Sequence, residues 1–262
     1  ARYLSLLPRE FSQFRKSHPH YPTEVSTIFL GGGTPSVLTP REMDSLLDAL
    51  LPAFPGATEL TCEVNPQSAN RPLLQVLRDR GFNRISMGLQ TFDAGLLEKY
   101  GRAHGVAEFH ETYAAVRDIG FPMVSFDLLY GHPDQTLAMF AVDLDQALAL
   151  APTHLSLYGL KVEPNTPYAR MGIEAAQDAD LMADMFELAC VRLAAAGLGR
   201  YELSNFALKG HDSQHNSAYW RMTDWVGFGL EAHSRLRTPD TSQPQPMVRQ
   251  KTYSPWVEAL EA

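Results

Sequence analysis

Three polar side chains stand late in three apolar-patterned segments: Glu63, Gln90 and Asp127. The carboxylates can accept hydrogen bonds from hydroxyl or ammonium groups, and the amide both donates and accepts. They suit a polar ligand, or acid–base chemistry through Glu63 and Asp127. A general base also needs a partner that tunes its pKa, and the sequence does not identify one. A second feature is Thr27-Ile-Phe-Leu-Gly-Gly-Gly-Thr-Pro-Ser36, where an apolar run ends in three glycines. Glycine has no Cβ, so this loop lets a ligand approach the main chain. It is not G-x-G-x-x-G, because position 36 is Ser, and no Gly-Lys-Ser/Thr follows.

The elements that position these residues repeat. Strand signals fall at 25–30, 59–64, 84–90, 123–129 and 154–160, and helix signals at 40–51, 70–79, 93–100, 106–118 and 136–149. Residues 1–16 form an amphipathic helix, and Thr39, Pro40 and Glu42 make a capping box. The alternation predicts an α/β protein of βα units around a parallel sheet. Without a dinucleotide fingerprint, a βα barrel, complete or open, is the better architecture.

Side chains alternate between the two faces of a strand. Ile85, Met87 and Leu89 oppose Ser86, Gly88 and Gln90. Val124, Phe126 and Leu128 oppose Ser125 and Asp127; Leu155 and Leu157 oppose Ser156 and Tyr158; Cys62 and Val64 oppose Thr61, Glu63 and Asn65. A closed eight-stranded barrel fills its centre with bulky branched side chains. Here the second face is small or polar, which predicts the wall of a wet cavity. Strand C-terminal ends carry the site in such barrels.

Beyond the fifth strand, the pattern predicts a helix over 178–196, a strand over 200–206, a Gly-rich strand-like stretch over 225–234, a loop over 237–247 and a helix from 253. His18 and His20 read as surface-loop histidines.

The chain has 262 residues, 45% hydrophobic and 20% charged, with formal charge −8. No basic stripe suggests nucleic acid, and no apolar run approaches the ~18 residues of a membrane span. Cys62 and Cys190 are the only cysteines, which excludes a disulfide framework and fits a reducing, cytoplasmic location. The chain opens on Ala1 without a visible signal peptide, and reads as a segment of something longer.

Eight motifs in order carry a resemblance: Gly31-Gly-Gly-Thr-Pro35, Glu63-Val-Asn-Pro66, Asn83-Arg-Ile-Ser-Met-Gly-Leu-Gln90, Gly101-Arg-Ala-His104, Asp127-Leu-Leu-Tyr-Gly131, His154-Leu-Ser-Leu-Tyr158, Tyr201-Glu-Leu-Ser-Asn-Phe206 and His215-Asn-Ser-Ala-Tyr-Trp220. The chain resembles the oxygen-independent coproporphyrinogen-III-oxidase-like branch of the radical S-adenosylmethionine (SAM) superfamily, and within it the heme-chaperone, or HemW, type. The resemblance implies an open, partial TIM-type βα barrel over residues 1–170 and the start of a smaller α+β C-terminal region over 171–262. It implies that Gly32, Gly33 and Thr34 border the methionine part of SAM, and that Glu63, Gln90, Arg102, Asp127 and Lys161 contact SAM. It implies heme handling at His215; the residues alone read His215 as a structural histidine beside Asn216. The partners implied are heme and a heme-accepting protein, with a homodimer and membrane association through the acceptor left open. Coproporphyrinogen oxidation is the near alternative, and an unrelated βα-barrel acid–base enzyme the remote one.

The sequence departs from the family in one respect. The family binds a [4Fe–4S] cluster through a C-x-x-x-C-x-x-C loop ahead of the first helix, and no such motif is present. The expectation is that the intact parent carries the cysteines, and that these residues alone cannot reductively cleave SAM.

Overall fold

The computed structural model describes residues 2–19, 21, 24–237, 244–248 and 253–261. Its main sheet has seven strands in the order β1-β2-β3-β4-β5-β7-β6. The strands are β1 (Thr27–Leu30), β2 (Glu59–Val64), β3 (Arg84–Gln90), β4 (Met123–Tyr130), β5 (His154–Gly159), β6 (Gly199–Arg200) and β7 (Asn205–Ala207). β2 through β5 are parallel, whereas β7 runs antiparallel to both β5 and β6. The sheet stays open, as a partial βα barrel.

The helices are α1 (Arg2–Ser17), α2 (Pro40–Leu50), α3 (Arg71–Asp79), α4 (Ala94–Lys99), α5 (Val106–Ile119), α6 (Leu137–Ala149), the short α7 (Pro167–Arg170) and α8 (Ile173–Ala176), α9 (Ala179–Ala195), α10 (Gln214–Trp220) and α11 (Tyr253–Glu261). Their starts are chemically fixed. The Thr39 amide donates to the Glu42 carboxylate at 3.0 Å and the Glu42 amide to Thr39 Oγ1 at 3.3 Å. Asn70, Asp93 and Thr136 cap α3, α4 and α6. Each such cap contributes about 1 kcal/mol.

The chain forms two compact units: residues 29–37 with 60–212, and residues 1–28, 38–59 and 213–262. The boundary expected at residue 170 falls inside the first of these. That unit's core lies on the apolar face of the sheet. Ile85, Met87, Leu89, Val124, Phe126, Leu128 and Leu155 are fully buried there, as are Leu73, Leu77, Phe109, Phe140 and Leu144 from the helices. In the other unit, Leu6 of α1 clusters with Trp256, Val257 and Leu260 of α11.

Three local expectations change. Residues 200–206 are not one strand. The Glu202 carboxylate accepts the amides of Leu203 (2.7 Å) and Ser204 (2.9 Å), and the chain reverses between β6 and β7. Residues 225–234 are not one strand: Trp225 bridges to Arg235, and only His233 and Ser234 at the end of the stretch enter a strand. Gly229 and Glu231 take φ of 102° and 57°, which pleated structure does not accept. Of the expected loop at 237–247, residues 244–247 belong instead to β9 (Pro244–Val248), which pairs antiparallel with β8 (His233–Arg237). A two-stranded ribbon is all edge, so Pro244 and Pro246 forfeit no interior ladder bond. Residues 238–243 of that loop, and His20, lie outside the described residues.

Candidate ligand-binding face and histidine box

On the sheet's other face, the register places Glu63 beside Ser86, Ser86 beside Ser125, and Ser125 beside His154. One step further along, Gly88, Asp127 and Ser156 line up. Over these two rows the face is small or polar, as the alternation predicts. After Gly88 the register shifts. Gln90 takes φ 80°, unusual for a residue with a Cβ, and its Nε2 lies 3.1 Å from where a Gly88 Cβ would stand. Gly88 thus leaves room for the Gln90 amide above Asp127's row. Such backbone strain costs about 1–3 kcal/mol and collects at functional sites.

The glycine loop is fastened to this face. The Gly32 amide donates to Glu63 Oε2 at 3.1 Å. A Cβ on Gly31 would stand 2.4 Å from the Phe29 ring and 3.2 Å from the Glu63 carboxyl, so a side chain there forces the ring or the loop to shift. Gly32, Gly33 and Thr34 follow with φ of 69°, 59° and 61°. Three successive left-handed residues form a lip with bare backbone, and Thr34 holds that conformation without glycine's freedom. Behind it, the Asn65 amide donates to Ser36 Oγ at 2.9 Å, and Ser36 Oγ meets Ser68 Oγ at 2.7 Å.

Asp127 is the electrostatic centre. Burial pushes its carboxyl up to about 6; the Ser156 hydroxyl opposes the rise, Glu63's charge adds to it, and Arg102's charge and the Ser86 hydroxyl hold it down. Burial also lowers Arg102, against the pull of Asp127. Tyr158 is pushed up to about 12, by burial first and by Asp127 second. Glu63, Gln90, Arg102, Asp127 and Gly32 are therefore brought together. Lys161 is not: it is exposed and pairs with Glu163 at 2.6 Å.

Sequence reasoning did not single out the residues supporting this face. Asp143 of α6 accepts the Thr91 hydroxyl at 2.8 Å and the Phe92 amide at 2.7 Å, pinning the chain just past Gln90. His154 contacts Ser125 Oγ at 2.7 Å and Tyr201 OH at 2.9 Å. Burial, with the Arg84 charge, depresses it to about 3. It is a neutral, hydrogen-bonded part of the wall.

His215 belongs to the other unit. Its Nδ1 lies 2.8 Å from Thr27 Oγ1 and its Nε2 2.7 Å from Tyr219 OH. Its amide and that of Gln214 donate to the fully buried Glu59 carboxylate at 2.9 and 3.0 Å. Burial lowers the ring's pKa, with Glu59 acting against it. Glu59 shares the alternation of Thr61 and Glu63, but its partners lie more than 150 residues away, beyond any local signal.

The residues present do not fit an iron–sulfur cluster. Cys62 is sealed in the apolar face, where burial pushes its thiol pKa up, and Cys190 lies on α9. Two cysteines cannot supply three thiolates. Among the described residues no group of His, Cys, Asp and Glu could hold a metal ion, and no helix is long and apolar enough to cross a membrane.

Comparison with known proteins agrees with this fold. The model for the radical SAM superfamily matches residues 13–147, just over half of the chain. The chain is 40% identical over 219 residues to the heme chaperone HemW of Escherichia coli (strain K12), covering 83% of this chain and 58% of that protein. It is 37% identical over 219 residues to HemW of Bacillus subtilis (strain 168), covering 81% and 58%. It is 36% identical over 243 residues to the mitochondrial radical S-adenosyl methionine domain-containing protein 1 of Mus musculus, covering 90% and 55%. The solved structure of Escherichia coli coproporphyrinogen III oxidase (HemN), a radical SAM enzyme, matches with TM-score 0.80 and 25% identity, covering 99% of this chain and 62% of that one. The chain thus spans less than two thirds of each of these proteins. With the family model and the open βα sheet in agreement, the chain belongs to the radical SAM superfamily.

Proposed function

We propose that this chain is the SAM-binding and heme-handling part of a cytoplasmic heme chaperone that passes heme to an acceptor protein. The observation carrying the SAM half is the polar face itself, where Glu63, Gln90, Asp127 and Arg102 gather beside a glycine lip. Such convergent polar groups mark ligand sites. In this reading the bare backbone of Gly32, Gly33 and Thr34 borders the methionine moiety. The carboxylates take ammonium and hydroxyl groups, and Gln90 and Arg102 take carboxylate and adenine edges. Lys161 stays at the margin and contributes only if its pairing with Glu163 opens. SAM supplies the carbon–sulfur bond that the family's chemistry cleaves; these residues bind and orient it. The cluster's thiolates come from outside these 262 residues. The heme half rests on the box at His215 and on the similarity to proteins called heme chaperones.

The second reading, porphyrinogen oxidation, is favoured by the 0.80 TM-score to HemN. The test is to incubate the protein carrying this chain with heme and, separately, with coproporphyrinogen III. The chaperone reading expects stoichiometric heme binding, transfer to an apo-acceptor and no decarboxylation. Turnover of coproporphyrinogen without heme retention would contradict it.

A further inference from the structure

This inference rests on the SAM reading of the polar face and concerns what holds Gln90 ready for the ligand. We propose that Asp143 of α6 is a positioning residue: its buried carboxylate clamps Thr91 and Phe92, and through them fixes Gln90 in the left-handed conformation that presents its amide to SAM. Gln90 ends β3 with φ 80°. A residue with a Cβ keeps such a backbone only where its surroundings over-determine it. The next two residues supply that constraint. Thr91 is fully buried, and its hydroxyl donates to Asp143 Oδ2 at 2.8 Å; the Phe92 amide donates to Asp143 Oδ1 at 2.7 Å. One carboxylate takes both donors, one on each oxygen, and hydrogen bonds to an ionised acceptor are the stronger kind. Relaxing Gln90 toward an extended backbone would swing Thr91 and Phe92 off it.

The clamp is braced from two sides. Thr91 Oγ1 accepts the Asp93 amide at 3.0 Å, and Asp93 Oδ1 accepts the Leu96 amide at 2.8 Å, which starts α4. Gln135, itself buried, accepts the Gly131 amide through Oε1 at 2.9 Å, just past the end of β4. Burial pushes the Asp143 carboxyl up to about 6; the Phe92 amide and the Thr91 hydroxyl oppose the rise, the Asp93 charge adds to it, and the Gln135 side chain also opposes it. A carboxylate is costly to bury unless it is hydrogen-bonded, and here its partners are the two residues that follow Gln90. Held in this way, the Gln90 amide stands above Asp127's row before SAM arrives, so less freedom is lost on binding.

SAM is titrated calorimetrically into the protein carrying this chain and into its Gln90→Ala, Thr91→Val, Thr91→Ser, Asp143→Ala and Gln90→Ala/Thr91→Val variants, with folding checked by circular dichroism. Gln90→Ala and Thr91→Val should each weaken SAM binding by about tenfold, and Asp143→Ala by at least as much. Thr91→Ser, which keeps the hydroxyl, should bind as the wild type does. The double variant should stay within about twofold of Gln90→Ala alone, because Thr91 acts through Gln90; a hydroxyl acting independently would multiply the two losses. If Asp143→Ala fails to fold, the Thr91 variants and the double variant decide. With Gln90→Ala weakened, wild-type affinity in Thr91→Val or in folded Asp143→Ala, or losses that multiply in the double variant, would overturn the inference and leave the SAM reading intact. Undiminished SAM affinity in Gln90→Ala would remove Gln90 from the SAM site and overturn that part of the reading together with the inference.

Discussion

Replacing Asp127 by Asn should stabilise the protein while impairing it. Burial raises this carboxyl from the ordinary 3.8 to about 6. About two pKa units at 1.4 kcal/mol each mean that ionised Asp127 costs the folded state about 3 kcal/mol above pH 7. The sign follows from linkage: a carboxyl raised on folding binds its proton more tightly in the native state. Its contribution is most favourable below the unfolded pKa, is lost as pH rises through about 6, and is flat beyond. Asn titrates nowhere, so the variant's advantage should be near zero at about pH 4, appear between about 4 and 6, and reach up to about 3 kcal/mol above 7. The amide can still hydrogen-bond to Ser86 and Ser156, the hydroxyls beside it. Urea unfolding at the two pH values gives the stability difference, and calorimetric titration of SAM at the higher pH should show about tenfold weaker binding. An Asn variant that is less stable above pH 7, or whose advantage does not change with pH, would refute the electrostatic picture of this face.

Two further substitutions test the flanking structure. Gly31→Ala places a methyl group against the Phe29 ring and the Glu63 carboxyl; the fold should survive, and calorimetry should show SAM affinity falling by about tenfold as the lip shifts. Glu59→Ala removes the buried acceptor of Ser213, Gln214 and His215. It should cost about 2–3 kcal/mol in urea unfolding and lower heme uptake in a spectrophotometric titration.

The fold was largely legible because its signals are local. Alternation in 84–90 and 124–128 separated the buried Ile85, Met87, Val124 and Phe126 from Ser86, Ser125 and Asp127. Thr39 and Glu42 announced α2 three residues apart. Where the reading failed, the deciding interaction was not periodic. The Glu202 turn splits 200–206 through a side-chain-to-backbone bond, and the β8–β9 pair is set by cross-strand partners in a Pro-rich stretch. At the site, Glu63, Gln90 and Asp127 were visible because each interrupts an apolar pattern. Thr27 and Glu59 were not, because what makes them relevant is His215, more than 150 residues away. Lys161 came from motif resemblance alone, and its pairing with Glu163 follows from an exposed loop that the motif does not constrain.

The most direct test of the ligand-binding face is Ser86→Leu. Ser86 sits between Glu63 and Ser125 in the register and faces away from the core. Added bulk there stands on the polar face without touching the packed apolar layer. The variant should stay folded, losing about 1 kcal/mol with the hydroxyl that hydrogen-bonds to Asp127, and its SAM titration should show no saturable binding. Wild-type SAM affinity in a folded Ser86→Leu protein would contradict the assignment of this face to the ligand.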